Sequence, residues 1–237
     1  MLHSKLLNTL ILAALAVPCV AVAADAAPAS PHTFTANIGV TTDYIFRGIT
    51  QSQHNPAISG GVDYSHASGL YAGTWVSTQQ WVKTGGTDAA NDPYKTNSNL
   101  EVDLYGGYRG TVGDVGYDVG AIYYYYNGNK VATQVSPDTT EVYLGASYKM
   151  VSVKYSEAVS DYFIGWGTLN TTKTKGSNYL ELNLSQDMGD GWGLLGHVGS
   201  QKVKNVPTAD YTDWKVGGTK DVGFGTVTVA YSKTNAQ

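Results

Sequence analysis

Cysteine is all but missing from this chain. The single one, Cys19, falls in the opening residues, where Lys5 gives a positive start and Leu6 to Val17 an apolar run. Ala21, Val22 and Ala23 then supply a small-x-small cleavage site. That order predicts an export signal over residues 1–23. Pro18, directly before Cys19, rules out a lipoprotein cleavage site there. From Ala24 onward no cysteine remains, which excludes the disulfide-stapled class of secreted folds.

Long hydrophobic runs are also lacking. The signal run is shorter than the ~20 residues an ordinary membrane helix needs, and no later stretch is apolar enough. Arginine is scarce, with only Arg47 and Arg109 against a majority of lysines. The net charge of −4 offers no basic surface for a nucleic acid. Helical periodicity is absent throughout.

What the chain has instead is 28 Gly, 18 Tyr and alternation at period two. After an Ala/Pro linker at 24–32, the segment "TFTANIGVTTDYIFR" sends Phe34, Ala36, Ile38, Val40, Tyr44 and Phe46 one way. Asn37, Asp43 and Arg47 go the other way. "NLEVDLYGGYR" opposes Leu100, Val102, Leu104 and Tyr108 to Glu101, Asp103 and Arg109. "YDVGAIYYYY", "EVYLGASYK", "VSVKYS" and "YLELNLS" repeat the pattern. Eleven strands can be read in residues 33–237, joined by connections that are alternately short and long. Amphipathic strands of about ten residues with that alternation predict an all-β fold, an antiparallel up-and-down transmembrane β-barrel with short periplasmic turns and long external loops. The expected location is the bacterial outer membrane.

Aromatic placement is a second test. Tyr64, Tyr71, Tyr108, Tyr117, Tyr148 and Trp192 flank the short turns, while Tyr44, Phe46, Tyr123, Tyr125 and Tyr155 lie toward the long loops. Two belts at opposite strand ends suit the two headgroup zones of a bilayer. The opposite parity carries the ionisable residues predicted to face a lumen: Asp43, Arg47, Asp63, Glu101, Asp103, Asp118, Glu141, Lys154, Glu181, His197 and Lys215. Lipid cannot solvate such charges, but a water-containing lumen can. Asp43 and Arg47 are expected to form a structural or rim pair. Carboxylates outnumber bases in this set, which predicts a mild preference for cations or polyol-like solutes.

Catalytic signatures are weak. No Gly-x-Ser-x-Gly elbow is present, and the histidines show no metal-ligand spacing. "GWGLLG" (Gly191 to Gly196) matches Gly-x-Gly-x-x-Gly but enters a strand, not a helix. Neither a metal nor a cofactor is expected. Lys173, Lys175, Lys202 and Lys204 fall in or beside long loops, as solvated charge or as contacts to lipopolysaccharide phosphates.

Within Thr41 to Trp75 stands the pattern Asp43-Tyr44-x-x-Arg47-Gly48, then Gln51, Pro56-Ala57, Gly60-Gly61-x-Asp63-Tyr64 and Gly69-x-Tyr71-x-Gly73-x-Trp75. This segment resembles the TorF-type porin family of Gram-negative outer-membrane proteins, long catalogued as conserved hypothetical. "NLEVDLYGGY" and "SDYFIGWG" extend the likeness along the mature chain. The resemblance implies an outer-membrane barrel and a porin role, and it transfers no catalytic residue.

Bacterial single-chain barrels have an even strand count, so about twelve strands are expected where eleven are read. The closing strand lies either within 81–97 or beyond the last residue. Three functions follow. The first is a narrow passive pore for small polar solutes, in contact with outer-membrane lipid and lipopolysaccharide. The second is a non-conducting barrel with a plugged lumen. The third is a barrel lipid hydrolase built on His197.

Overall fold

The computed structural model describes residues 30–84, 98–127, 135–167 and 170–236. The export signal lies outside the described residues, as do residues 85–97, most of the stretch considered for a further strand.

Eleven strands form one antiparallel sheet in which every neighbour in space is the neighbour in sequence. They are β1 (His32–Thr41), β4 (Ala57–His66), β5 (Leu70–Thr78), β6 (Leu100–Val112), β7 (Val115–Tyr126), β8 (Thr139–Tyr148), β9 (Val151–Ala158), β10 (Asn178–Gly189), β11 (Trp192–Lys202), β12 (Tyr211–Asp221) and β13 (Thr226–Thr234). Two short strands, β2 (Ile45–Phe46) and β3 (Ile49–Thr50), pair only with each other. A single helical turn, α1 (Trp81–Thr84), follows β5.

Local chemistry sets the short turns. Asp190 (φ 50) and Gly191 (φ 74) are both left-handed between paired Gly189 and Trp192. That is the Asp-Gly two-residue turn whose twist matches the strands it joins. Gly113 (φ 59) opens a second two-residue loop between paired Val112 and Val115.

The sheet is inside out relative to a water-soluble domain. One face carries exposed apolar side chains on strand after strand, with Phe34 70%, Leu144 62% and Val229 74% exposed. The other face buries carboxylates, amides and hydroxyls, including Glu141 at 0%. Period-two alternation produces this split directly, since successive side chains leave a strand on opposite faces. On the polar face, tyrosines lie over glycines of the next strand. The register sets Gly73 opposite Tyr105 and Gly120 opposite Tyr143. A Cβ at either glycine would come within 2.5 Å of the facing tyrosine side chain. Only glycine leaves room for the ring at these two positions.

The sheet is strongly curled. β12 stands nine strand spacings from β1 in the ladder, about 43 Å if the sheet were flat. Yet Gly48, seven residues after the end of β1, packs against Asp213 of β12 and Thr234 of β13. Seven residues reach at most about 25 Å, so the two edges curve toward each other around the polar face. β1 and β13 both run from the short-turn end to the loop end.

The first strand corrects the sequence reading. It stops at Thr41 and does not continue to Arg47, so Asp43, Tyr44, Phe46 and Arg47 belong to the first long connection.

Candidate functional site

That connection turns back over the polar face at the loop end. β2 and β3 make a hairpin whose two-residue turn, Arg47 (φ 46) and Gly48 (φ 76), has both residues left-handed. Such turns favour Asn or Asp before Gly, and a longer side chain there costs about 1–2 kcal/mol. Arg47 offsets that cost through its partners. Nη1 and Nη2 donate to the two Glu141 oxygens at 2.9 and 2.7 Å, and Nη1 also donates to Gln201 Oε1 at 3.2 Å. The guanidinium lies 4.4 Å from the Tyr179 ring centroid and 4.8 Å from that of Phe46. A buried bidentate pair of this kind is worth little against an apolar substitute, but breaking one half costs about 3–5 kcal/mol. The hairpin is therefore latched to β8, β10 and β11 through one side chain.

A second left-handed pair, Ile164 (φ 44) and Gly165 (φ 72), forms another hairpin tip in the connection after β9, closed by the Phe163–Trp166 bridge. Phe163 lies 6.0 Å from the Arg47 guanidinium. Two inward hairpin tips thus meet in the loop-end mouth.

Asp43 organises the base of the first hairpin. Thr50 Oγ1 and Ser52 Oγ donate to its Oδ1 at 2.5 and 3.1 Å, and His54 Nδ1 lies 2.8 Å from its Oδ2. Burial pushes the carboxyl up, but the hydrogen bonds from Thr50, His54 and Ser52 outweigh it and hold the group below the ordinary aspartate value of 3.8.

Farther down the polar face, β9 to β12 share a second network. Lys154 Nζ meets Glu181 at 3.1 Å. His197 Nδ1 contacts Asn183 Oδ1 at 2.6 Å, and its Nε2 lies 2.9 Å from Tyr179 Oη and 3.1 Å from Asp213 Oδ2. Tyr179 donates to Asp213 Oδ1 at 2.8 Å. None of the hydrogen bonds of His197 among the described residues goes to a serine. Across the face, Tyr71 donates to Asp118 at 2.6 Å and meets Tyr143 Oη at 2.5 Å, while Tyr105 donates to Asp63 at 2.6 Å. Arg109 lies 4.9 Å from the Tyr71 ring.

A third group is less complete. Tyr44 donates to Glu101 Oε1 at 2.8 Å, but Glu101 Oε2, Asp103 Oδ1, Trp75 Nε1 and Trp81 Nε1 are buried without a hydrogen-bond partner. A buried, unsatisfied polar group costs about 1–3 kcal/mol, more when charged. Among the described residues no three His, Asp or Glu side chains gather to hold a metal ion.

Of the predicted lumen residues, Asp63, Glu101, Asp103, Asp118, Glu141, Lys154, Glu181, His197 and Lys215 all stand on the polar face. Lys215 is in register with His197 and Ser232. Arg47 reaches that face from the hairpin, not from a strand. Asp43 is a loop organiser, and it is not paired with Arg47. Three predicted belt aromatics are corrected. Tyr44 packs edge-on to Trp75, Phe46 to Tyr124, and Tyr71 joins Asp118 and Tyr143. All three point to the polar side because the strand ends early or, at Tyr71, because its parity matches Gly73 and Trp75. Tyr108, Tyr123, Tyr125, Tyr148, Tyr155 and Trp192 are exposed on the apolar face. Tyr64 packs at a tilt against Phe34, and Tyr117 stacks on Tyr108. Two of the loop lysines are paired, Lys173 with Asp161 and Lys202 with Asp210.

Sequence reasoning passed over Tyr179 and Asp213, although each shares strand parity with a residue it did choose, Glu181 and Lys215. Gln201 was missed for another reason. A neutral amide gives no charge signal until Arg47 is seen beside it.

No curated protein and no solved structure matches the chain. Residues 25–237 match the family model described as "Bacterial protein of unknown function (Gcw_chp)", and the chain belongs to that family.

Proposed function

We propose that the chain is a bacterial outer-membrane β-barrel acting as a narrow passive pore for small polar solutes, weakly cation-preferring and constricted at its loop end by the Arg47 hairpin. The observation that carries this reading is the inverted burial. A curled sheet that exposes Val, Leu and Tyr outward and buries carboxylates inward is unstable in water but suited to lipid outside and a wet lumen inside. Exposed Tyr and Trp at both strand ends fit the two headgroup zones. The likeness of Thr41 to Trp75 to the TorF-type porins agrees with it. In this reading the chain is not an enzyme and needs no cofactor, and its surroundings are outer-membrane lipid and lipopolysaccharide.

In this reading the barrel has still to close: β1 and β13 run the same way, so closing it takes either parallel pairing between them or one further strand antiparallel to both, and the latter gives the even count of twelve.

A second reading, a non-conducting barrel that presents its loops, is favoured by one feature, the hairpin latched by the buried Arg47–Glu141 pair. Single-channel recording of the refolded mature protein in a planar bilayer separates the two. The pore reading predicts a small steady current whose cation preference falls in Asp103→Asn. Insertion without current in both proteins would establish the plugged barrel instead.

A further inference from the structure

Four side-chain polar atoms among the described residues are buried without a hydrogen-bond partner, and all four belong to one patch of the polar face. Trp75 and Asp103 are direct cross-strand partners on β5 and β6. Glu101 stands two residues along the same face of β6, opposite Tyr126 of β7. Trp81 packs edge-on to that Tyr126 ring at 5.1 Å. Tyr44 closes the patch from the hairpin segment, with its ring 5.4 Å from Trp75 and its hydroxyl on Glu101. Trp75, Glu101 and Asp103 are 7%, 1% and 2% exposed. Buried polar atoms are nearly always satisfied, so four exceptions in one place call for a ligand or bound water.

The kinds of atoms left over restrict that ligand. Two carboxylate oxygens require donors, and two indole N–H groups require acceptors. An organic or metal cation meets the carboxylates and leaves both indoles unpaired. An anion meets the indoles and is repelled by the carboxylates. A hydroxyl group serves both, because it donates and accepts through one oxygen. The rings of Tyr44, Trp75, Tyr126 and Trp81 add apolar faces of the kind that cover C–H surfaces. We propose that this patch binds a small neutral polyhydroxylated solute, a monosaccharide or polyol. The inference rests on the pore reading, to which it adds a substrate class.

Equilibrium dialysis of labelled D-glucose against the refolded mature protein in detergent micelles tests the site without requiring a current. Saturable binding is expected, with a dissociation constant on the order of 1 mM for a ligand of this size. Glycerol or xylitol should displace the label, while choline chloride and inorganic phosphate at matched ionic strength should not. Trp75→Phe, which keeps the ring and removes the N–H, and Asp103→Asn should each weaken binding about tenfold. Displacement by choline would overturn the proposal in favour of a cation site. Absence of saturable binding would overturn it in favour of water alone. Equal affinity in wild type and both variants would place glucose elsewhere. The competition experiment needs only the wild type, so it decides the solute class even if a variant fails to refold. Glucose binding without conductance would reject the pore and keep the site, and conductance without binding would do the reverse.

Discussion

The two halves of the polar face are built differently. Toward the loops it carries large side chains, Trp75, Tyr124, Tyr126, Glu141, Tyr179 and Gln201, all buried and covered by an inserted hairpin. Toward the short turns it carries mostly small residues, Gly107, Gly116, Ser147, Ser152, Asn183, Ser185, Gly193 and Thr219, around the larger Tyr71, Arg109 and Asp118. Most of these stay half-buried or exposed. One sheet therefore holds a filled, hydrogen-bonded loop end and a more open short-turn end in which small residues predominate around the Tyr71–Asp118 pair. The difference lies in what enters from outside the sheet. A long connection folds into the loop end, and the two- to four-residue turns at the other end are too short to do so.

The largest effect expected is at the latch. Arg47→Ala leaves Glu141 buried without its cation and should destabilise the loop-end half by about 3–5 kcal/mol. It should speed proteolysis within 43–53, whereas Ser152→Ala in the open half should change stability by less than about 0.5 kcal/mol. Unfolding in detergent, followed by circular dichroism, reads both. If the hairpin sets the constriction, Arg47→Ala should also raise single-channel conductance.

Next comes the outer face, which should be indifferent to the inner asymmetry. Leu144→Arg should cost about 2–4 kcal/mol when the protein is folded into a bilayer, as for a charge at mid-depth on a lipid-facing strand. Its refolding yield into vesicles should fall, while its behaviour in urea alone should change little.

A smaller effect should follow from filling the inner wall. Gly120→Val forces Tyr143 off its neighbour and should cost about 1–3 kcal/mol. Tyr143→Ala in the same chain should restore part of that loss, measurable as a double-mutant cycle.

The smallest effect is at Asp43. Its carboxyl is held below the ordinary value, so its contribution to the hairpin is complete above about pH 4 and fades as pH falls through the lower native value. Proteolysis of the 43–53 segment by an acid-active protease should rise in that window, and Asp43→Asn should flatten the dependence.

The strands of the large sheet were legible because a two-sided sheet writes its faces into alternate residues; eleven were read and eleven form that sheet among the described residues, while the short β2 and β3 were not read. The inward carboxylates were legible for the same reason. The hairpin was not. Asp43, Tyr44, Phe46 and Arg47 keep the alternation of β1 for six residues past its end, so parity alone carried the strand too far. The signal against it was Arg47-Gly48, a two-residue turn with a poor first residue whose partner, Glu141, lies 94 positions away. Long-range pairing of this kind has no local trace. Tyr71 was misplaced because a tyrosine near a turn suits a headgroup belt as well as a bond to Asp118.

In the proposed barrel the apolar face meets lipid and the polar face meets water. The absence of cysteine after Cys19 makes this directly testable with two adjacent single-cysteine variants in β12, Lys215→Cys on the polar face and Val216→Cys on the apolar one. After reconstitution into liposomes, a water-soluble maleimide should label position 215 and leave position 216 protected until detergent is added. Equal labelling of both before detergent would contradict a membrane-spanning sheet.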